Sequence, residues 1–448
     1  MTAVTPKVMG APTIRRWTLT PRILLALLAI GGVLALILAI AQPPDRAVSG
    51  PALLAHVTGM LAGYGIAAML VLMARSPMIE HGVGADRLAR WHSRTGPAII
   101  VLAVVHAVAA VQAWADDGQI SGLAAAEELL GWPGLLAATF GLAVLVAVGL
   151  VSIRWIRRLL AYEHWHLVHL LTYLAAALPF THQLAGPNLA GNRPVQIAWS
   201  LLYAYAFALV IRYRLLQPLH QLLRHRLRVV EIVPESGDVV SIVMSGGHLD
   251  ELRAEAGQFF RWRFLTRSTW LASYPFSLSA PPTNDRLRIT IKALGLGTRL
   301  LHDLHPGTVV LAEGPYGALT GRRRRRPRVL LIAGGVGITP MRVLFETLDL
   351  PGEDLTLVYR AASEERLIFR AELDEIAARK GARVIYLIGP SDDPANLLNA
   401  YTLQAMVGRL REHDIYLCAP PRMAARIRQS LLHTGHRRSQ LHEEQFTF

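Results

Sequence analysis

A six-span helical membrane bundle, followed by a small antiparallel β-barrel and a doubly wound parallel α/β domain, is the fold class the sequence predicts. Three observations lead to it. The 448-residue chain is 52% apolar, and its first half holds uncharged runs of about 20 residues, long enough to span a bilayer as helices. After residue 227, short runs alternate apolar and polar residues between Gly/Pro breaks, as half-buried strands do. From Arg328, wholly apolar runs alternate with helical segments, the texture of a parallel sheet covered on both faces. The boundaries fall at 1–216 for the membrane domain, 217–226 for a basic linker, 227–321 for the barrel and 327–448 for the α/β domain.

The spans are expected at 22–41, 52–74, 95–115, 134–153, 162–182 and 195–216. The first lacks a small-residue cleavage site and more spans follow it, so it is not a removable signal peptide. Segments 75–94, 154–161 and the chain after 211 are rich in Arg, whereas 42–50 has only Arg46, 116–131 has none and 183–194 has only Arg193. Positive charge collects on the cytoplasmic side. Both termini are therefore expected in the cytoplasm, with the bacterial inner membrane as the location. Much of the net charge of +14 sits with these flanking arginines, and no nucleic-acid module accompanies it. The single cysteine, Cys418, excludes an internal disulfide and any Cys-rich metal site. Redox chemistry must use bound cofactors.

An ionisable residue at the centre of a span costs about 2.5–3.5 kcal/mol and needs a reason. The third helix carries His92 at the cytoplasmic end of its span and His106 deeper in, fourteen residues apart, which is ~21 Å along the axis and within about 40° of one face. The fifth carries His169 and His182, thirteen apart, or ~20 Å. Two helices with paired histidines at matched depth can hold two haems stacked through the membrane, each gripped by one imidazole from either helix. The phase is the difficulty, because thirteen residues rotate an ideal helix by about 220°. Pro179 lies between the two and can re-phase the turn. His164 and His166 remain alternatives to His169, and His56 reads as structural.

These histidines, with Trp165-His166-Leu167-Val168-His169-Leu170-Leu171-Thr172-Tyr173, resemble the ferric reductase and NADPH oxidase superfamily. The resemblance implies that His92 and His169 ligate an inner b-type haem, and His106 and His182 an outer one.

In the second half, the strand Tyr274-Pro275-Phe276-Ser277 alternates an aromatic ring with a hydroxyl, suited to an isoalloxazine and its polar edge. Lys292 through Gly295 to Thr298 is a strand end entering a helix, whose free N–H groups suit a pyrophosphate. Gly334-Gly335-Val336-Gly337-Ile338-Thr339-Pro340 is a second strand-to-helix turn where backbone can approach a diphosphate. Arg360 follows the next strand and suits a ribose 2′-phosphate, which favours NADPH over NADH. Ser363 and Arg366 lie nearby, and Ala362 stands where relatives often have Arg. The run Arg322–Arg326 reads as a solvated or headgroup-facing cluster.

In this order the motifs resemble the ferredoxin–NADP reductase superfamily, with Tyr274 where His or Arg is commoner and Ala419 replacing a glycine after Cys418. The resemblance implies that Tyr274–Ser277 hold FAD, Gly295–Thr298 its diphosphate, and Gly334–Pro340 the nicotinamide nucleotide. It places Cys418 beside the nicotinamide, Glu444 near the flavin, and the ring of Phe446, with Phe448 in reserve, stacked on it. The expectation is a transmembrane oxidoreductase passing electrons from NADPH through FAD and two haems to a small extracytoplasmic acceptor, ferric iron first. Superoxide production from oxygen and an electron relay to a protein or quinone are the alternatives. A haem-free reductase merely anchored by its helices does not explain the histidine pairs.

Overall fold

The computed structural model describes residues 18–41, 49–160, 162–317, 319–390, 393 and 396–444. The chain divides into two compact units, and the break falls between Leu216 and Gln217.

The first unit is helical: α1 (Pro21–Ile40), α2 (Gly50–Met73), α3 (Pro77–Val83), α4 (Ala85–Gly118), α5 (Gly122–Leu130), α6 (Leu135–Val151), α7 (Arg154–Arg157), α8 (Tyr162–Ala177), α9 (Phe180–Ala185) and α10 (Arg193–Val210), then a π-helical turn over Ile211–Leu216. Thr20 and Ser49 cap α1 and α2 through their hydroxyls, and proline occupies the first turn of each. Both features suit a helix start, where backbone N–H groups lack partners. Exposed Leu25, Leu34, Val101, Val108, Leu136 and Leu201 are what a lipid-facing surface requires.

Among the described residues, four helices are long and apolar enough to cross a membrane, or five if bent α5 and α6 count as one span. The six expected spans are thus not reproduced as six helices. The departure is clearest at 162–182, where a 16-residue α8 stops at Ala177 and a 6-residue α9 begins at Phe180. Pro179 has no N–H to continue the ladder and its ring collides with the preceding turn, so the helix breaks there.

The second unit opens with α11 (Gln217–His225), where the sequence suggested only a linker. One face of this helix is buried: Gln221 Nε2 donates to the Gly314 carbonyl at 2.8 Å, and His225 Nδ1 sits 3.1 Å from that of Gly247. Strands β1 (Arg228–Ser236), β2 (Val239–Ser245), β3 (Phe259–Phe264), β4 (Tyr274–Ser277), β5 (Arg286–Lys292) and β6 (Val310–Tyr316) follow, with α12 (Leu296–Leu300) after β5. They form two antiparallel three-stranded sheets, β1-β2-β5 and β4-β3-β6, instead of one continuous barrel. Isolated bridges Arg228–Val309 and Leu278–Ile289 link them. Phe260, Trp262, Phe264, Ile289 and Ile291 fill the space between.

The nucleotide lobe comprises β7 (Arg328–Gly334), α13 (Ile338–Thr347), β8 (Leu355–Ala361), α14 (Arg370–Lys380), β9 (Arg383–Ile388), α15 (Ala400–Val407), β10 (His413–Cys418), α16 (Pro421–His433) and β11 (Leu441–Glu443). Its sheet is wholly parallel, ordered β11-β10-β7-β8-β9. Alternate residues of β7 point to opposite cores, Val329 and Leu331 to one, Leu330 and Ile332 to the other. This is why the strand reads as a continuous apolar run.

A charged clamp ties β5 to the nucleotide lobe. The Arg288 guanidinium donates to both Glu372 oxygens at 2.9 and 2.8 Å, and Arg342 Nε donates to the same carboxylate at 2.5 Å. Burial alone would raise the Glu372 pKa, but the Arg288 hydrogen bonds and the charges of Arg342 and Arg288 outweigh it and hold the carboxyl below its ordinary 4.5. A depressed carboxyl stabilises the fold above its unfolded pKa and ceases to do so as pH falls through the folded value. Glu372→Gln should therefore destabilise the second unit at pH 7 by about 1–2 kcal/mol, discounted for a one-third-exposed carboxylate. The gap to wild type should close as pH falls below that ordinary value. Thermal unfolding followed by tryptophan fluorescence across pH measures both.

Candidate functional site

Four histidines on three helices come together in pairs. The rings of His92 on α4 and His169 on α8 have centroids 5.8 Å apart, and those of His106 on α4 and His182 on α9 are 5.9 Å apart. Two imidazoles sharing one metal through bonds of about 2 Å hold their ring centres about 6 Å apart. Both pairs fit that requirement. The break at Pro179 supplies the rotation an unbroken helix lacks, turning His182 toward His106 while His169 faces His92. His164 is exposed and enters neither pair.

The second shell is consistent with nitrogens kept free for a ligand. His106 Nδ1 lies 2.8 Å from the Ala55 carbonyl, so it carries the proton and leaves Nε2 bare. Gly59, one turn along α2, makes room: a Cβ there would stand 2.6 Å from His106 Nδ1. His92 Nδ1 is buried without a hydrogen-bond partner, an atom whose environment is incomplete.

The flavin-motif residues line one cleft. Pro275, Phe276, Ser277, Thr290, Lys292, Leu294, Val336 and Thr339 surround a cavity, so motif residues from β4, β5 and the β7–α13 turn converge there. Ser277 Oγ is buried and unpartnered, an orphan that a polar flavin edge would satisfy. The rings of Tyr274 and Phe276 lie nearly parallel, 6.0 Å apart. Lys292 pairs with Asp238 at 3.2 Å. At the Gly295–Thr298 turn a side-chain hydroxyl caps the entry to α12. The Thr298 hydroxyl accepts from the backbone N–H of Leu294 at 2.8 Å and of Gly295 at 3.0 Å, so these two donors are already engaged. Both donors precede α12, whose own first-turn N–H groups are those that suit a diphosphate.

At the nucleotide end, Gly334, Gly335, Gly337, Ile338, Thr339 and Pro340 form the turn from β7 into α13. A Cβ on Gly337 would meet the Cys418 carbonyl oxygen at 2.1 Å, so only glycine lets this turn sit against the end of β10. Arg360, at the carboxyl end of β8, donates from Nη2 to the Gly389 carbonyl at 3.1 Å. Glu444 follows β11, its N–H donating to the Leu417 carbonyl at 3.3 Å. Arg428 holds the neighbouring Glu443 through contacts of 2.7 and 2.6 Å. Phe446 and Phe448 lie outside the described residues. Within the basic run, Arg322 pairs with Glu255 at 2.9 Å, and the Arg326 N–H donates to Asp414 Oδ2 at 2.8 Å.

Sequence reasoning missed Ser152 and Trp165, which contact His169, and the Arg288–Glu372–Arg342 clamp. The resemblance string held Trp165 and gave it no role; the clamp has no sequence motif.

A membrane-spanning helical unit joined to a nucleotide-binding oxidoreductase module is the class that this fold and these sites define. Residues 58–180 match the family described as ferric reductase like transmembrane component, and residues 331–429 match the oxidoreductase NAD-binding domain. The chain thus joins a region like the ferric reductase transmembrane component to a region like the oxidoreductase NAD-binding domain. It is 28% identical over 239 residues to the glycine betaine monooxygenase reductase subunit of Chromohalobacter salexigens, covering 50% of this chain and 64% of that one. It is 29% identical over 230 residues to the 3-ketosteroid-9-alpha-monooxygenase ferredoxin reductase component of Mycolicibacterium smegmatis, covering 49% and 65%. The chain spans a little under two thirds of the length of these curated relatives. The flavohaem-like FAD/NAD-binding domain of nitric oxide dioxygenase from Vibrio cholerae aligns with a TM-score of 0.42 at 26% identity, covering 49% of this chain and 98% of that one.

Burial pushes the Cys418 thiol well above its ordinary pKa, and the nearby Glu444 and Glu443 carboxylates push it further. A neutral, enclosed thiol is a poor nucleophile. Cys418 should therefore resist iodoacetamide through neutral and mildly alkaline pH in the folded protein and react on denaturation, as read by mass spectrometry. Alkylation of the native protein near pH 7.5 would show that the β10 end opens.

Proposed function

We propose that the chain is a transmembrane electron-transfer enzyme that oxidises NADPH in the cytoplasm and reduces ferric iron on the far side of the membrane. The observation that carries this reading is the pairing of four intramembrane histidines at two equal ring separations. When bound, the flavin supplies the conversion of a hydride into single electrons, and the haems supply one-electron steps through the bilayer. The remaining work belongs to the chain's own side chains.

His92 and His169 hold the inner b-type haem, His106 and His182 the outer one. Two histidines would hold each haem, so the acceptor would be reduced without binding to the iron. Tyr274, Pro275 and Phe276 shape the flavin face of the cleft, and the Ser277 hydroxyl serves its polar edge. The Gly295–Thr298 turn and Lys292 serve the FAD phosphates, through the N–H groups that Thr298 leaves free. The turn Gly334–Pro340 admits the nicotinamide nucleotide's diphosphate, with Arg360 directed to the 2′-phosphate of NADPH. Cys418, kept neutral, and Glu444 would border the nicotinamide, and the aromatic role at the flavin is assigned to Phe446. The bundle crosses the membrane six times, with α8 and α9 together as a broken fifth span. The arginine bias puts both termini in the cytoplasm, at the inner membrane of a bacterium.

The purified protein should show a low-spin b-type spectrum with two haems per chain. His106→Ala or His182→Ala should leave one, while NADPH still reduces the flavin at the wild-type rate. A wild-type protein that reduces its acceptor with no haem would sink this reading. Gly59→Val, which presses on His106 without removing a ligand, should weaken retention of the outer haem by about 10–100-fold, read by haem transfer to apomyoglobin. Stopped-flow reoxidation of the reduced haems identifies the acceptor: ferric chelate should react fastest, and preference for oxygen or a quinone would replace iron in the proposal.

A further inference from the structure

Ser152 terminates α6, and its hydroxyl hydrogen is already committed. Oγ donates to the Val148 carbonyl at 2.7 Å, one turn back. What it offers α8 is therefore lone pairs. Trp165 Nε1, which can only donate, reaches the same oxygen at 3.2 Å, and His169 Nδ1 lies 3.4 Å from it. A serine whose one hydrogen is spent elsewhere can only accept from His169. The proton of that imidazole must then sit on Nδ1, leaving Nε2 bare.

Trp165 acts on the same ring a second way. It precedes His169 by four residues, one helical turn, so the two side chains share a face. Their rings stack at 5.0 Å with an interplanar angle of 28°. The indole is itself fixed by its bond to Ser152 and by the Arg157 guanidinium, whose carbon lies 4.4 Å over its ring. The outer pair is held differently, since His106 leans on a backbone carbonyl that no side-chain substitution removes.

We propose that Ser152 and Trp165 are positioning residues for His169: Ser152 fixes its tautomer and Trp165 its ring rotation, and together they set the reduction potential of the inner haem. The proposal rests on the reading of His92 and His169 as haem ligands. A hydrogen bond to the distal nitrogen of a metal-bound imidazole raises its basicity, which favours ferric over ferrous iron. Removing the acceptor lowers that basicity, so the potential rises.

The test uses the full-length holoprotein in detergent, comparing Ser152→Ala, Ser152→Thr and Trp165→Phe by haem content, low-temperature electron paramagnetic resonance and redox titration. Ser152→Ala should keep two haems, raise the inner potential and leave the outer one unmoved. Ser152→Thr, which retains the hydroxyl, should restore the wild-type potential. Trp165→Phe, which keeps a ring but loses the N–H, should shift the inner haem's largest g-value. If Ser152→Ala is recovered without haem, Trp165→Phe still decides, because a merely structural role would not move the inner haem's g-value. An inner signal and potential unchanged in both Ser152→Ala and Trp165→Phe would overturn the proposal. Absence of any bis-histidine signal in the unsubstituted protein would instead overturn the haem reading beneath it, and shows before any substitution is made.

Discussion

Helical phase is the constraint on which the membrane unit depends. On α4 the fourteen-residue interval brings His92 and His106 to nearly one face, whereas the thirteen residues from His169 to His182 would turn an unbroken helix by about 220°. Both nonetheless meet their partners at almost the same ring separation. The reconciling element is the gap between Ala177 and Phe180, where Pro179 withdraws one backbone donor. A proline that would cost an interior helix ~3 kcal/mol is tolerated in a bundle where neighbouring elements can satisfy the freed groups.

The second unit solves a different problem, the close approach of two lobes to a shared ligand. The cleft draws residues from β4 and β5 on one side and from the β7–α13 turn on the other. The Arg288–Glu372–Arg342 clamp joins the same lobes through charge-assisted hydrogen bonds, which are directional and fix geometry more than they add stability. Backbone contact between Gly337 and the Cys418 carbonyl sets the floor of the nucleotide end.

Much of this was legible in the sequence. The strands β1, β2, β5, β7, β8, β9 and β10 fall on the alternating or continuous apolar runs, because side-chain period and burial are written locally. The spacing of His92, His106, His169 and His182 was legible, and their rings lie in two pairs. Features made by long-range packing were not legible. Residues 217–226 read as a basic linker, yet Gln221 and His225 dock α11 on carbonyls far along the chain. The division of the expected barrel into two sheets depends on where interstrand bonds lapse, a property no single strand carries. Ser152 could not be recognised as a neighbour of His169 from sequence, since they sit on different helices seventeen residues apart.

The central claim is that electrons leave on the side opposite the nicotinamide through the paired histidines. Sealed vesicles with the flavin module outward, a ferric chelate trapped in the lumen and NADPH added outside test it directly. The account predicts reduction of the trapped chelate, abolished when His182 is replaced by Ala while flavin reduction persists. Reduction confined to acceptors on the NADPH side, with the trapped chelate untouched, would contradict it.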